Sequence, residues 1–118
     1  MDKLLSFLGI CRRARKLVIG AETAIDSLVE GKSRLVLYAD DVSQNSLKKV
    51  LKTAQSRGVD AMCVHRSKEE LSISLGRLSG VLSVEDKGFA DRLRELILNE
   101  EQQGGELDDK IQGEGYSE

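Results

Sequence analysis

The hydrophobic positions of this chain follow two spacings, one typical of amphipathic helices and one typical of short buried strands. Apolar residues at three- and four-residue intervals predict helices at about residues 3–13, 21–30, 44–57, 68–75 and 87–98. Continuous apolar runs predict strands at residues 17–19, 34–39, 60–65 and 80–84. This alternation favours an α/β fold, a three-layer α-β-α sandwich with a small mixed four-stranded sheet and helices on both faces.

Residues that commonly cap helices stand at most of the predicted helix boundaries. Asp2 and Asp86 precede the first and last helices, and Ser67 with Glu70 three residues later forms a capping-box pattern. Glycines follow three of the helices, where a left-handed residue is common: Gly31, Gly58 and Gly76. The local signals therefore agree with the hydrophobic pattern.

Charge is distributed unevenly along the chain. Residues 1–98 contain 17 Lys and Arg and 13 Asp and Glu, whereas residues 99–118 contain one Lys and seven acidic residues. The net charge of −2 is therefore set by the C-terminal segment, and the rest of the chain is basic. We interpret residues 1–98 as one domain and residues 99–118 as an acidic, Gly-containing tail, predicted to be disordered because it has almost no core-forming residues.

The sequence predicts neither a membrane span nor a secretory signal. No apolar run approaches the roughly 18 residues that a spanning helix needs, and Asp2 stands where a signal peptide would be basic. Cys11 and Cys63 have neither metal-binding nor redox-motif spacing, and we expect both to be buried free thiols. These observations predict a cytoplasmic protein with no membrane partner.

Two positions invite an enzymatic interpretation, and each has a simpler one. Asp40 and Asp41 end a strand, as in a magnesium-binding receiver domain, but the third strand ends without the further carboxylate that this chemistry needs. We therefore interpret Asp41 and Ser43 as caps of the third helix. His65 is the only histidine and is expected on the surface. We predict no catalytic residue, no metal site and no cofactor.

A basic turn followed by a glycine points most directly to a ligand. Four cations stand just before the first strand: Arg12, Arg13, Arg15 and Lys16. Gly20 comes directly before the second helix, whose N-terminus offers unpaired N–H groups and a positive dipole end. Cations near such an end favour phosphate binding. The residues alone leave open the alternative of a solvated basic turn between two elements.

Two further segments depend on their position in the fold. The loop at residues 77–80 contains Leu78, which either packs on an unstacked RNA base or covers the core, depending on whether the loop lies beside Gly20. Lys48, Lys49 and Lys52 share one side of the third helix. They are either a solvated face or part of an RNA-binding surface, if they adjoin residues 12–16.

Four segments, in one order along residues 3–98, resemble the ribosomal protein L7Ae/L30e family and, within it, small bacterial proteins of the YlxQ type. The segments are LGICRRARKLVIG at residues 8–20, LVLYADD at 35–41, ELSISLGR at 70–77 and VEDKGFA at 84–90. The resemblance implies a three-layer sandwich and RNA binding, notably to kink-turns docked on the start of the second helix. The RNA-binding residues that we infer are Arg13, Arg15, Lys16, Gly20, Ala21, Glu22, Thr23, Asp26, Arg77, Leu78, Ser79 and Gly80.

The chain departs from the family pattern at three of these positions. The family's glycine is followed by Asn, Glu and, a little later, Lys, whereas this chain has Glu22, Thr23 and Asp26 there. Asp26 repels phosphate where Lys would attract it, Thr23 offers only a hydroxyl, and Glu22 cannot donate a hydrogen bond. The backbone feature at Gly20 is kept, while the polar groups that read bases are altered.

The resemblance leads to two functional hypotheses. In the first, the chain is a ribosome-associated protein that recognises structured, kink-turn-like RNA through the start of its second helix, with ribosomal RNA or the ribosome as partner. In the second, the chain keeps the fold as a protein-interaction module that has lost specific RNA readout. Its acidic tail would then bind a basic protein or cover the basic face.

Overall fold

The computed structural model describes the backbone of residues 2–112 and the side chains of residues 2–103. The helices of this part of the chain are α1 Lys3–Arg13, α2 Ala21–Val29, α3 Gln44–Ser56, α4 Lys68–Leu75 and α5 Lys87–Gln112. Its strands are β1 Leu17–Ile19, β2 Leu35–Tyr38, β3 Ala61–Cys63 and β4 Val81–Val84. The predicted order of helices and strands is confirmed.

The four strands form one mixed sheet in the order β1-β4-β2-β3. β4 is antiparallel to both of its neighbours, and β2 is parallel to β3. Consequently β1, β2 and β3 all run in the same direction. The helices that follow them, α2, α3 and α4, therefore all begin at one end of the sheet.

Helices cover both faces of the sheet, as the sequence predicted. Leu35 and Leu37 of β2 pack with residues of α1, α4 and α5, while Val36 between them packs with residues of α2 and α3. Two apolar residues of these helices are exposed in the structure, Val29 of α2 at 51% and Leu51 of α3 at 37%.

α5 is longer than the sequence predicted. It continues to Gln112, past the boundary placed at residue 98. Beyond residue 98, Glu100 pairs with Arg66 and Glu101 with His65. Residues 113–118 lie outside the described part of the chain, and the division into a domain and a disordered tail stays a prediction. Among the described residues, no helix combines the length and apolar character needed to cross a bilayer.

Candidate nucleic-acid interface

The start of α2 has backbone donors that no side chain of the described residues caps. Gly20 occupies the cap position with φ 118° and ψ 150°, a conformation that strains any residue with a Cβ. Its N–H donates to the carbonyl of Val81 at 2.8 Å, and its carbonyl accepts from Ala24 at 2.9 Å. The N–H groups of the first turn of α2 are consequently left to face the surface, at the positive end of the helix dipole.

α3 begins beside α2 and is also uncapped. Ser43 stands at its cap position, but its side chain accepts no hydrogen bond from the helix. The prediction that Asp41 caps α3 is wrong, because the Asp41 carboxylate accepts from the N–H of Lys68 at 2.9 Å and so caps α4. β2 and β3 are neighbours, and the end of β2 therefore reaches the start of the helix that follows β3.

α4, in contrast, has a complete cap. The Ser67 hydroxyl accepts from the N–H of Glu70 at 3.1 Å, and the Glu70 carboxylate accepts from the N–H of Ser67 at 2.9 Å. This arrangement confirms the predicted capping box. Of the three helices that follow these parallel strands, α2 and α3 therefore offer exposed backbone donors and α4 does not.

These helix starts surround a small cleft that also includes the loop at residues 77–80. The cleft has a volume of about 200 Å³ and is lined by Ala21, Val42, Ser43, Ser46, Lys68, Ser79, Gly80 and Val81. We call this surface, together with Gly20 and Leu78, the α2-start face. A Cβ at Gly80 would lie 2.9 Å from a methyl group of Val42, so only glycine allows this approach.

The exposure of Leu78 excludes one of its two interpretations, and its contact with RNA stays a prediction. The loop leads directly into β4, whose first residue Val81 is hydrogen-bonded to Gly20. Leu78 is 64% exposed, so the alternative in which it covers the core is wrong. An exposed leucine beside uncapped helix starts is available to contact an unstacked base.

The charge of the α2-start face is modest and mixed. Lys68 is the only cation that lines the cleft, and Arg77 is exposed in the loop. Glu22 and Asp26 are both exposed on α2, four residues apart. Since residues at this spacing lie on one face of a helix, the two carboxylates oppose phosphate binding along that side of α2.

Of the cations that precede β1 in sequence, Arg13, Arg15 and Lys16 lie apart from this face. Arg12 instead reaches Gly76, where a Cβ would lie 2.8 Å from its guanidinium, just before the loop at residues 77–80. The Lys16 carbonyl accepts from the N–H of Glu85 at 2.8 Å, at the opposite end of the sheet. Four residues of extended chain separate Lys16 from Gly20, a distance of about 13 Å. Arg13 lines a different surface, the groove between α1 and α4. The structure thus brings residues 20–23 together with residues 77–80 but does not bring Arg13, Arg15 or Lys16 to them.

Sequence reasoning did not predict Val42 and Val81 in the cleft, nor its three polar residues Ser43, Ser46 and Lys68. The available signal was the position of the three polar residues, because each lies at the start of a helix that follows one of three strands running in the same direction. The lysines of the third helix, Lys48, Lys49 and Lys52, are exposed along α3. They lie on the α2 and α3 side of the sheet, whereas Arg12 and Arg13 end α1 on the other side.

The remaining candidate groups have structural explanations. Cys11 is fully buried, and burial raises the pKa of its thiol to about 11. Cys63 is also free but only half-buried, which corrects the expectation that both thiols are buried. His65 is exposed, as predicted, and its Nε2 lies 2.7 Å from a carboxylate oxygen of Glu101. Within residues 2–103 no three His, Cys, Asp or Glu side chains are grouped closely enough to hold a metal ion.

The model of the ribosomal protein L7Ae/L30e/S12e/Gadd45 family matches residues 2–94. The chain belongs to this family. Family membership confirms the resemblance that residues 8–20, 35–41, 70–77 and 84–90 indicated.

Two bacterial members of the family are similar in sequence. The RNA-binding protein YlxQ of Enterococcus faecium is 32% identical over 97 residues, covering 81% of this chain and 92% of that protein. The RNA-binding protein YlxQ of Bacillus subtilis (strain 168) is 35% identical over 91 residues, covering 76% of this chain and 90% of that protein. The similarity therefore extends over nearly the full length of both relatives.

Two solved structures share the fold. A protein with unknown function from Bacillus halodurans C superposes with a TM-score of 0.77 at 31% identity, covering 82% of this chain and 98% of that one. The Giardia lamblia 15.5kD RNA binding protein superposes with a TM-score of 0.63 at 19% identity, covering 84% of this chain and 88% of that one. At 19% identity, the second likeness establishes the fold alone.

Proposed function

We propose that this protein binds structured RNA of the kink-turn type through the α2-start face. The observation that carries the proposal is the pair of uncapped helix starts, α2 and α3, beside an exposed loop. Backbone N–H groups at a helix N-terminus bind phosphate oxygens because the donors converge and the dipole is positive there. The two relatives named as RNA-binding proteins support the same class of ligand.

The chemistry of the face suggests how an RNA bend would be held. Phosphates would accept from the first turns of α2 and α3, and the Lys68 ammonium would add a charge beside them. Gly20 and Gly80 would let the sugar-phosphate backbone approach the protein closely, because neither carries a side chain. Leu78 would pack against a base that the bend leaves unstacked. These contacts read the shape of the RNA more than its sequence.

The residues of α2 that differ from the family pattern would weaken this interaction without abolishing it. Glu22 and Asp26 place two negative charges on the exposed side of the helix that would meet phosphate. Thr23 replaces a carboxylate that could accept from base amino groups. Because backbone donors remain, we propose that recognition of RNA shape is kept while base readout at this helix is reduced.

We further propose that the RNA is ribosomal RNA, or that the protein acts on the ribosome, in the cytoplasm. Membership of a ribosomal protein family supports the first point. The two free cysteines are compatible with a reducing compartment. In this role the protein binds and positions RNA, and nothing is turned over. Binding of a basic protein by the acidic C-terminal segment remains the second hypothesis, to be preferred if RNA binding is not found.

The proposal is tested by fluorescence anisotropy with three labelled RNAs, each measured at several salt concentrations. The RNAs are a kink-turn, a plain duplex of the same length and a kink-turn lacking its G·A pairs. We expect tighter binding to the intact kink-turn and a preference that persists at high salt. Equal binding to all three, falling steeply with salt, would show phosphate attraction alone and contradict specific recognition.

A double variant assigns the binding to the α2-start face. Lys68→Gln combined with Leu78→Asp should weaken kink-turn binding by about 10-fold or more, since loss of one base contact alone costs about 1–3 kcal/mol. The matched control is Lys52→Gln with Leu98→Asp, which changes an exposed lysine and an exposed leucine elsewhere. Equal losses in the two variants would contradict the assignment.

A further inference from the structure

The end of the sheet opposite the α2-start face has an unusual concentration of helix ends. α1, α2 and α3 all finish there, each with a left-handed residue after its last turn: Arg15 at φ 60°, Gly31 at φ 76° and Gly58 at φ 68°. In each case the N–H groups of this residue and the next fold back onto carbonyls of the helix. The three loops that follow are thus held in one fixed arrangement.

These loops gather positive charge. Two adjoining concave surfaces, of about 300 Å³ and 400 Å³, share Gly31 and Arg34. The cations that line them are Arg15, Lys16, Lys32, Arg34, Arg57 and Arg94, and we call this group the basic end. Only two carboxylates, Asp60 and Glu85, line the same surfaces.

Two carboxylates pair with a member of the basic end itself, since Asp60 and Asp91 lie 3.1 and 3.6 Å from the guanidinium of Arg94. Glu85 accepts the hydroxyl of Ser27 at 2.6 Å. Lys32 pairs with Glu30 at 3.2 Å, but both side chains are more than half exposed. Among the side chains described in residues 2–103, no ion-pair partner is found for Arg15, Lys16, Arg34 or Arg57. Six cations against the four carboxylates Asp60, Glu85, Glu30 and Asp91 leave the basic end with a net formal charge of +2.

The negative ends of the three helices do not by themselves account for the excess of cations. The negative dipole ends of three helices amount together to about −1.5 charges, which is less than the excess of cations. In addition, Arg15 occupies the left-handed position at the end of α1, where glycine is the residue without strain.

We propose that the basic end is a second RNA-contacting surface, which holds the phosphate backbone of a helical arm of the same RNA. The proposal rests on the proposed function. Arginine side chains present forked donors that match phosphate oxygens, and the α2-start face has only one lysine in its cleft. The two surfaces lie at opposite ends of β1, about 13 Å apart along the strand, so an RNA arm that runs alongside the sheet from the α2-start face passes the basic end. Few exposed apolar side chains line the basic end, which favours RNA over a protein partner.

The test compares the full-length triple variant Arg15→Gln, Lys32→Gln, Arg34→Gln with the control Lys3→Gln, Lys48→Gln, Lys52→Gln. Both variants remove three exposed cations, and the control residues lie outside the two proposed surfaces. Anisotropy is measured across salt concentrations with a long-armed kink-turn and with one whose arms are cut to the minimum. For the long-armed RNA, the basic-end variant should bind about 10-fold or more weakly, with a salt slope reduced by about two. The control and the short-armed RNA should show much smaller changes.

Several results would overturn this inference. Equal losses in the two triple variants would mean that only overall charge matters. A lower melting temperature with unchanged RNA affinity would mean that these cations serve only the helix ends. Unchanged RNA affinity with lost retention of an acidic peptide would assign the surface to a protein partner.

Failure of the inference is distinguishable from failure of the proposed function. Lys68→Gln with Leu78→Asp is measured alongside the triple variants. If this variant loses binding and the basic-end variant does not, the second surface is excluded while the α2-start face stands. If the wild-type protein binds none of the RNAs, the proposed function fails, and the second surface fails with it.

Discussion

A variant with Glu22→Asn, Thr23→Glu and Asp26→Lys should bind an intact kink-turn about 100-fold more tightly than the wild-type protein. The three changes restore the polar groups that the family pattern has after its glycine. Each well-placed polar contact to a base discriminates by about 1–3 kcal/mol, and two such contacts account for the expected gain. The backbone needs no change, because Gly20 and the uncapped start of α2 are already present. Anisotropy against the intact kink-turn measures the gain.

The control for this gain must match its change in charge. The triple variant makes the protein more positive by two charges, and so does Glu95→Lys, at an exposed position on α5. We expect Glu95→Lys to improve binding to every RNA slightly and equally. If it improves kink-turn binding as much as the triple variant, or if the triple variant gains equally on a plain duplex, then α2 does not read the RNA.

Of the proposed substitutions of charged residues in the domain, Arg66→Ala should cause the largest loss in the free energy of unfolding. The guanidinium is 14% exposed and donates to Asp2 at 2.9 and 3.0 Å and to Glu100 at 3.0 and 2.8 Å. It also donates to the carbonyl of Val64 at 2.9 Å. Breaking a buried pair costs about 3–5 kcal/mol, and the partial exposure of both carboxylates reduces the expected loss to about 2–3 kcal/mol. Urea unfolding measures it.

The control for Arg66→Ala is Arg92→Ala, which removes an exposed arginine that pairs with Glu95. Exposed pairs contribute little, so a loss of at most about 0.5 kcal/mol is expected. Equal effects of the two variants would show that the bridge from the start of α1 to α5 is not a main stabilising contact. It would also mean that the ion pair between Arg66 and Glu100 does not hold α5 in place.

The effect of Arg66→Ala should also depend on pH. The hydrogen bond from Arg66 holds the pKa of the Asp2 carboxyl below its usual value of 3.8. Because the folded-state pKa is the lower one, the stabilisation from Asp2 is complete above about pH 4 and is lost as the pH falls through the folded-state pKa. The difference in stability between wild type and variant should therefore narrow in acid. A constant difference down to pH 2 would contradict the role of Asp2.

Local signals in the sequence were sufficient for the order of helices and strands and for several caps. Asp2 accepts from the N–H of Leu5 at 3.0 Å, and Asp86 accepts from that of Phe89 at 2.8 Å, as predicted. Both contacts span three residues, so they depend on little beyond local chain geometry. The same holds for Gly76, which has the expected left-handed conformation after α4.

Contacts between distant residues could not be read from the sequence in the same way. Asp41 caps α4 instead of α3 because β2 and β3 are neighbours, a fact of sheet order that no local pattern encodes. Arg15 and Lys16 are close to Gly20 in sequence, but the extended strand β1 lies between them. Arg15 and Lys16 are therefore at one end of the sheet, and Gly20 is at the other. The basic turn and Gly20, interpreted from the sequence as one phosphate-binding site, thus belong to two separate surfaces in the structure.

Part of the acidic C-terminal segment forms contacts with the domain in the structure. Glu100 and Glu101, assigned by composition to the tail, contact Arg66 and His65. A truncation that tests whether the acidic segment covers the RNA-binding surface should therefore begin after these residues. Removal of residues 99–118 would also remove a structural ion pair, and its effect on RNA affinity would have two causes.

Hydrogen exchange tests the central claim, that RNA docks on the α2-start face, most directly. The first N–H groups of α2 and α3 lack side-chain caps and should exchange rapidly in the protein alone. We predict that a saturating kink-turn RNA slows exchange at residues 20–23, 43–46 and 77–80, and that a plain duplex does so less. Slowed exchange confined to other segments, with these three unchanged, would contradict the account.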